Sequence, residues 1–353
     1  MTLLPTSLSL SQVRALRLGL GVAICFIIAV SINWQLAYLT PVLLSKLLSS
    51  PKKPISAKAG MGLLIIILLS FFPFLILGQI AIVQPAVAIA LSLLGFFYIF
   101  YANALGKLNP IITIMMLIGI TVLPLMTLTK PELSWWFTSG FIFSAGMAIV
   151  FALICFWLMP DPADTHYPAP AEPQSNTEKL LAQIQAGIST LVVFPLALYF
   201  YATNALSEAL IIVFVAILMQ NTDLASNIKA GIGLVVTNIL GGVVALAIFT
   251  ILAAAPTLPI FTLIMMAGCL LVAQQMYSDS KLAPFFAAGF STTLVLLGSI
   301  TTSAGGDFNE KFFTRIIQIT LASSYVVLGI IMVKGLFAHK RDALLAKLNQ
   351  HKA

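Results

Sequence analysis

Charged residues are scarce in this chain. Only 8% of its 353 residues are charged, whereas 60% are hydrophobic and the mean hydropathy is +1.06. Soluble domains carry about 25% charged residues, so a soluble chain of this length would lack the polar surface needed to cover its apolar side chains. We therefore expect an all-α integral membrane protein whose solvent is the lipid bilayer.

Residues that ligate metals or perform catalysis are also few. The three cysteines lie inside apolar runs without a CxxC spacing, and the three histidines lie outside those runs. This pattern favours small buried hydrophobes over a disulfide framework or a zinc site. The sequence has no phosphate-binding P-loop, no HExxH and no nucleophile elbow. We predict no enzyme, no metal site and no cofactor.

Acidic residues are absent from the middle of every apolar run. All eleven Asp and Glu residues lie in loops, at the ends of runs or in the C-terminal tail. Proton-coupled transporters usually carry a carboxylate or histidine relay within their spans. The sequence therefore disfavours a buried proton relay.

Twelve apolar runs fill most of the chain. They cover roughly residues 16–32, 36–50, 59–78, 80–101, 110–128, 135–158, 183–203, 207–220, 230–254, 258–276, 283–300 and 312–334. A spanning helix needs about 20 apolar residues. The second and the eighth runs are too short for a comfortable span, and both occupy the same place in a set of six.

An internal repeat relates the two sets of runs. The segment from Lys58 to Gly62 (KAGMG) recurs from Lys229 to Gly233 (KAGIG), an offset of 171. Further matches are Gln12 with Gln183, Asn33 with Asn204, Lys107 with Lys281 and Phe137 with Phe313, at offsets between 171 and 176. Apolar sequences match one another by chance, but matched Gln, Asn and Lys residues in so apolar a chain favour a duplication.

The duplication predicts four segments. Residues 1–159 and 179–335 are two six-helix repeats, 160–178 is a Pro-rich and acidic linker, and 336–353 is a basic tail. Because each repeat has an even number of spans, the two repeats share one orientation. We expect a pseudo-two-fold axis along the membrane normal.

The basic residues predict the orientation in the membrane. With twelve crossings, fifteen of the eighteen Lys and Arg residues fall on one side, and only Lys130, Lys311 and Arg315 fall on the other. The positive-inside rule then places both termini and the linker in the cytoplasm. The net charge of +7 thus reflects membrane orientation rather than nucleic-acid binding.

Basic and neutral polar residues at the ends of the spans are the candidate functional residues. A ring of Lys or Arg favours anions in a pore, although each lysine taken singly is also explained as an ordinary flanking charge. The candidate pathway residues are Lys58, Lys229, Lys107, Lys281, Arg315, Asn33 and Asn204. Gly60, Gly62, Gly231 and Gly233 are predicted helix-packing positions, because small residues let helix backbones approach closely.

These features resemble a known family. Arg14 and Arg17 before the first span, Trp34 at its far end, a short second span and the Lys58-Gly60-Gly62 motif look like the fusaric acid resistance-like membrane proteins. Gln220 and the Lys229-Gly231-Gly233 motif continue the likeness. Aromatic acid exporters belong to that family, and plant aluminium-activated malate channels look like distant relatives. Many members carry a large cytosolic domain, in place of which this chain has only a short linker and tail.

The resemblance implies an inner-membrane protein that exports small organic anions, often aromatic carboxylates, beside a periplasmic adaptor of the membrane-fusion type. The alternatives are a scaffold subunit of an envelope complex, without transport, and a transporter of the major-facilitator kind. Against the latter, the loop SSPKKPISAKAG lacks the Asp-Arg-Gly-Arg pattern that such proteins tend to have after their second span. The sequence does not identify the substrate or the energy source.

Overall fold

The computed structural model describes residues 9–32, 36, 38–49, 54–108, 110–162, 176–220, 224–254, 257–302, 313–314, 316–333 and 335. These residues form helices and connecting turns, without a β-strand among them. Nine of the described helices are long and apolar enough to cross a membrane, and three shorter apolar helices accompany them. The prediction of an all-α, multi-pass membrane protein is confirmed.

The helices follow the apolar runs of the sequence closely. Their bounds are α1 Leu10–Ile32, α2 Leu39–Ser49, α3 Ala57–Val83, α4 Pro85–Ala104, α5 Pro110–Thr129, α6 Pro131–Leu158, α7 Asn176–Thr203, α8 Ala209–Leu218, α9 Leu224–Ala254, α10 Leu258–Met276, α11 Ala283–Thr302 and α12 Ile316–Val333. Because α7 begins at Asn176, the last three residues of the predicted linker are helical. The tail 336–353 lies outside the described residues.

Both short runs are short helices. The helix α2 has 11 residues, and α8 has 10 residues after a single 3₁₀ turn at Leu206–Glu208. At 1.5 Å per residue each α-helix is only about 15 Å long. The turns that lead into them contain Leu36 and Asn204, both with a positive φ. The sharp turns start each short helix close beside the helix before it, so α2 packs on α1 and α8 on α7.

The described helices form two compact units, and each unit takes helices from both halves of the chain. The first unit contains α1, α2, α6, α10 and α11, with the start of α3 and most of α9. Within it α1 packs on α2, α10 and α11, and α11 packs on α2 and α10. Leu, Phe and Ala side chains form its core, in which the rings of Phe26 and Phe261 meet edge to face at 6.0 Å.

The second unit contains most of α3, together with α4, α5, α7, α8 and α12. Within it α7 packs on α4, α5 and α8, and α5 packs on α4 and α8. Phe71 and Phe96 are fully buried in this unit. The compact units are therefore distinct from the sequence repeats 1–159 and 179–335, since each unit combines helices of both.

The outward faces of the helices are apolar, as lipid requires. Large hydrophobic side chains such as Leu69 and Val83 are 62% and 75% exposed. On α6 the exposed Trp135 and Trp157 lie 22 residues apart, which is about 33 Å along a helix. The hydrocarbon core of a bilayer is about 30 Å thick, and Trp is enriched at both of its interfaces. The two rings thus mark the expected edges of the membrane on this helix.

Close approach of helix backbones holds α9 against α11. A Cβ atom at Gly241 would overlap the backbone of Gly289, and one at Gly289 would lie 2.9 Å from the carbonyl oxygen of Thr237. Thr293 donates a hydrogen bond of 2.9 Å to the Gly241 carbonyl across the same interface. Small residues take this role because lipid supplies no hydrophobic driving force between helices, so packing and hydrogen bonds must supply it.

We predict that Gly241→Ala destabilises the protein by about 1–3 kcal/mol, because the added methyl group forces α9 and α11 apart. Gly233→Ala, on the same helix, is the matched control, since no atom lies within 4 Å of a Cβ there. It should be neutral or slightly stabilising, because alanine favours helix over glycine. Unfolding in mixed detergent measures both changes. Equal stabilities of the two variants would contradict the close α9–α11 contact.

Candidate functional site

The most unusual polar feature is a buried arginine in the first unit. Arg17 lies eight residues into α1, and its side chain is only 2% exposed. Arg14, one turn earlier on the same face, is 18% exposed. The ends of α6 and α10 contribute Phe156, Asp161 and Tyr277. We call these five residues the arginine cluster.

Asp161 accepts hydrogen bonds from both arginines. Arg17 Nη1 lies 2.7 Å from Asp161 Oδ1, and Arg14 Nη2 lies 3.2 Å from Oδ2. The Asp161 side chain is 5% exposed, so one carboxylate is held by two cations with little water nearby. Charge-assisted pairs of this kind are strong, and breaking one leaves an uncompensated buried charge.

Arg17 also caps a helix and stacks on a ring. Its Nη1 donates to the carbonyl of Met159 at 2.9 Å, one of the carbonyls that follow the end of α6 and lack a partner within the helix. The guanidinium carbon lies 4.1 Å from the centroid of the Phe156 ring, within cation–π range. These contacts fix the guanidinium in one orientation.

Two donors of the cluster remain unused. Within the described residues, Arg17 Nε and Tyr277 Oη are buried without a hydrogen-bond partner. Burial raises the pKa of the Tyr277 phenol, while the nearby Arg17 and Arg14 lower it and Asp161 raises it. The net shift is upward, so the phenol keeps its proton at neutral pH and remains a donor. Unsatisfied buried donors in native proteins are uncommon and call for an explanation.

In the second unit, neutral side chains cap the end of the short helix α8. Gln185 Nε2 and Asn103 Nδ2 donate to the Gln220 carbonyl at 3.0 and 3.4 Å, and Ser189 Oγ donates to the Met219 carbonyl at 2.7 Å. The end of α8 therefore lies beside residues 10 to 14 of α7, well inside a candidate span. Carbonyls at that depth need partners from the protein, and the three side chains supply them.

A cavity of about 290 Å³ lies in the second unit between α3, α4, α5 and α7. Its lining is almost entirely apolar and includes Leu77, Ala88, Pro124, Leu198 and Tyr201. These residues lie toward the ends of α3, α5 and α7 and the start of α4, which is the end that the twelve-span prediction places outside. A cavity so lined suits an apolar or aromatic group.

Tyr201 compensates for a proline beside this cavity. Pro124 lies inside α5 and lacks the amide hydrogen that would bond the carbonyl of Ile120, four residues earlier. The hydroxyl of Tyr201 donates to that carbonyl. The proline therefore shapes the helix beside the cavity without leaving a buried acceptor unpaired.

We predict that Tyr201→Phe costs about 1 kcal/mol of stability, because the Ile120 carbonyl loses its donor. In a Pro124→Ala background the restored amide bonds that carbonyl, so the same substitution should cost less. Tyr199→Phe, at a position 62% exposed, is the control. Equilibrium unfolding of the four cycle variants measures the coupling, and equal costs in both backgrounds would refute the compensation.

The predicted pathway lysines all lie at exposed helix starts or turns. Lys58 is at the start of α3 and Lys229 at the start of α9, while Lys107 and Lys281 lie in the turns before α5 and α11. Asn204 is exposed in the turn between α7 and α8. Arg315 and Asn33 lie outside the described residues. Lys58 and Lys281 belong to the first unit, whereas Lys107, Lys229 and Asn204 belong to the second. Their role as an anion pathway stays a prediction.

The four predicted packing glycines fall into two pairs. Gly60 is buried against Ile149 of α6, and Gly231 is buried against Ser323 of α12. In contrast, a Cβ at Gly62 or at Gly233 would meet no atom within 4 Å. Close packing thus occurs at the first glycine of each Lys-Ala-Gly-x-Gly motif, while the second glycine of each has open space beside it.

Comparison with protein families gives one match. Residues 14–155 match a family described as a protein of unknown function (DUF2955). The matched segment is less than half of the chain and runs from Arg14 in α1 to Cys155 in α6. No curated protein and no solved structure matches the chain.

The sequence analysis interpreted Arg14 and Arg17 as charges that precede the first span and as part of the family resemblance, and it interpreted Asp161 only as part of the linker. The contact between Arg17 and Asp161 was not evident from the sequence, because the two residues are 144 positions apart. One signal was present in the sequence. Arg17 follows Val13, Ala15 and Leu16 within the helix and so lies inside the apolar run that it was expected to precede.

Proposed function

We propose that the chain is a bacterial inner-membrane transport protein that exports small organic anions, foremost aromatic carboxylates. The observation that carries the proposal is Arg17, a cation 2% exposed and eight residues inside a candidate span. Ionisable residues within membrane spans are costly and mark substrate or ion pathways by default. A buried arginine pairs best with a carboxylate.

The membrane potential is a sufficient energy source for such export. One charge crossing 100 mV gains about 2.3 kcal/mol, and about 1.4 kcal/mol corresponds to a tenfold concentration ratio. An anion that leaves an inside-negative cell therefore runs downhill without a coupled proton. This agrees with the absence of acidic residues from the middle of the apolar runs.

The apolar cavity of the second unit supports an aromatic cargo. An engineered cavity of about 150 Å³ is enough to hold benzene, and the cavity beside Tyr201 is about twice as large. It offers a place for the ring of a small aromatic acid.

Corresponding contacts in the two units support the proposed duplication. If α7 corresponds to α1, α8 to α2, α4 to α10 and α5 to α11, each of the five contacts among α1, α2, α10 and α11 has its counterpart in the second unit. The buried glycines Gly60 and Gly231 likewise pack on the sixth helix of their own half. The family match over 14–155 covers one such six-helix repeat.

The contacts also bear on how many times the chain crosses the membrane. Arg17 near the start of α1 contacts Asp161 after α6, so an even number of crossings separates them. Five long helices lie from α1 to α6, so we propose that the short α2 crosses as well. Under the proposed duplication α8 corresponds to α2. On this basis we propose twelve crossings, with cytoplasmic termini by the positive-inside rule.

The resemblance to fusaric acid resistance-like proteins adds a periplasmic adaptor of the membrane-fusion type as the proposed partner. A scaffold without transport remains the alternative function. It differs from the proposal in one measurable respect, since a scaffold moves no anion by itself.

We expect the purified chain in proteoliposomes to carry benzoate out of the vesicles when an inside-negative potential is applied at pH 8. Protein-free vesicles measure the leak of benzoic acid, and neutral benzamide tests charge selectivity. A strain that lacks the chain should accumulate more benzoate than the complemented strain. Flux no greater than in protein-free vesicles would exclude transport by the chain alone and favour a scaffold.

The exposed lysines at the starts of α3 and α9 should help to capture anions. Each of these lysines lies near a helix N-terminus that carries about half a positive charge, so each makes its own surroundings electropositive. Loss of one lysine should weaken export by a modest factor that shrinks at high salt. The double variant Lys58→Glu, Lys229→Glu should reduce export most, because it repels the cargo.

The matched control for the lysine variants is Lys130→Glu, an exposed lysine on the predicted outer side. Benzoate efflux rates are compared after insertion of each variant has been verified by protease protection. If the double variant inserts fully and exports at the wild-type rate, these lysines are only flanking charges.

A further inference from the structure

We propose that Arg14, Arg17 and Tyr277 form a binding site for a small organic carboxylate, and that Asp161 fills it as an internal ligand. The proposal rests on the proposed export of organic anions and names a site for that cargo. In it, a free carboxylate and the Asp161 side chain compete for the same two guanidinium groups.

Asp161 satisfies the arginine cluster only in part. Among the described residues, one carboxylate lies between two cations, which leaves a net positive charge in a site where Arg17 is 2%, Asp161 5% and Arg14 18% exposed. A buried charge in excess of its partner is costly. A second negative charge or a stronger acceptor is therefore favoured at this place.

A free carboxylate can accept hydrogen bonds from donors of the cluster that Asp161 leaves unused. Arg17 uses one nitrogen, Nη1, for both Asp161 and the Met159 carbonyl, and its buried Nε has no partner within the described residues. An untethered carboxylate can also bond the side of the guanidinium that carries Nε, the two-bond geometry that arginine favours. The Tyr277 hydroxyl, also buried and unpaired in the described part of the chain, is a further donor beside the cluster.

Aromatic surfaces border the same place. The ring of Phe156 lies 4.1 Å from the Arg17 guanidinium, and Tyr277 presents a second ring. The ring of an aromatic acid prefers such neighbours, because aromatic pairs gain beyond their buried area. The chemistry of the cluster therefore selects an aromatic carboxylate over inorganic anions of similar charge.

The Asp161 side chain can move away from the two arginines without disrupting a helix. It lies three residues beyond the end of α6, outside any helix, so its withdrawal breaks no intrahelical hydrogen bond. Since an internal ligand lowers the fraction of competent sites, the apparent dissociation constant equals the intrinsic one divided by that fraction. Removing the internal ligand should therefore tighten the binding of an external one.

The test measures binding of radiolabelled benzoate to the purified full chain in lipid nanodiscs. Asp161→Asn should bind benzoate about tenfold more tightly than the wild type, because the competitor has lost its charge. Glu132→Gln is the matched control, since it removes one exposed acidic residue from the other end of α6. It should leave the affinity unchanged, and neutral benzamide should not displace benzoate from any variant.

Asp161→Asn leaves Arg17 without its partner and is the variant at risk of misfolding, so two further variants decide the matter independently. Tyr277→Phe keeps the ion pairs and should weaken benzoate binding several-fold, whereas Tyr98→Phe, at a position 62% exposed, should not. Arg14→Gln keeps the Arg17–Asp161 pair and should also weaken binding.

Unchanged or weaker affinity in folded Asp161→Asn, or wild-type affinity in both Tyr277→Phe and Arg14→Gln, would overturn the site. Such a result leaves export untouched, because benzoate efflux is measured separately in proteoliposomes. The converse result, predicted shifts in affinity without any efflux, would overturn export and keep the carboxylate site.

Discussion

Lipid offers no hydrogen bonds, and this constraint governs every polar group in the described helices. A carbonyl that loses its partner inside a span must find another on a neighbouring helix. Tyr201 serves the carbonyl that Pro124 leaves free, and Gln185 with Asn103 serves the end of α8. Polar side chains are few in this chain, and several buried Ser and Thr side chains instead donate to a carbonyl three or four residues earlier in their own helix, as Ser70 and Thr127 do.

The same constraint makes the arginine cluster exceptional. Arg17 performs one structural task, the capping of the Met159 carbonyl, but it brings more donors than that task needs. A glutamine or a serine would have sufficed, as the cap of α8 illustrates. A buried guanidinium is costly, and Asp161 and Phe156 offset part of that cost.

The proposed duplication relates the arginine cluster of the first unit to the hydrogen-bonded cap of α8 in the second unit. At offsets of 171 and 174, Arg14 corresponds to Gln185 and Tyr277 to Asn103. One framework thus carries an ionic cluster in the first unit and a neutral hydrogen-bonded cap in the second.

The sequence by itself determined the helices and the solvent. Long apolar runs can satisfy their backbone in lipid only as helices, so the helices and the short α2 and α8 followed from the runs. The starts of α1, α7 and α9 did not, since these helices begin six or seven residues before their runs. The sequence treated the four glycines of the two Lys-Ala-Gly-x-Gly motifs alike, so it did not show that Gly60 and Gly231 pack closely while Gly62 and Gly233 have open space beside them.

Only the tertiary structure decided which helices are neighbours and which polar residues meet. Helices in lipid have no hydrophobic pattern that points to a partner, because lipid-facing and buried side chains are equally apolar. The sequence therefore did not indicate that each unit mixes both halves of the chain, with α1 against α10 and α4 against α7. For the same reason it left Arg17 as a flanking charge, whereas the fold buries this side chain and pairs it with Asp161, 144 residues away.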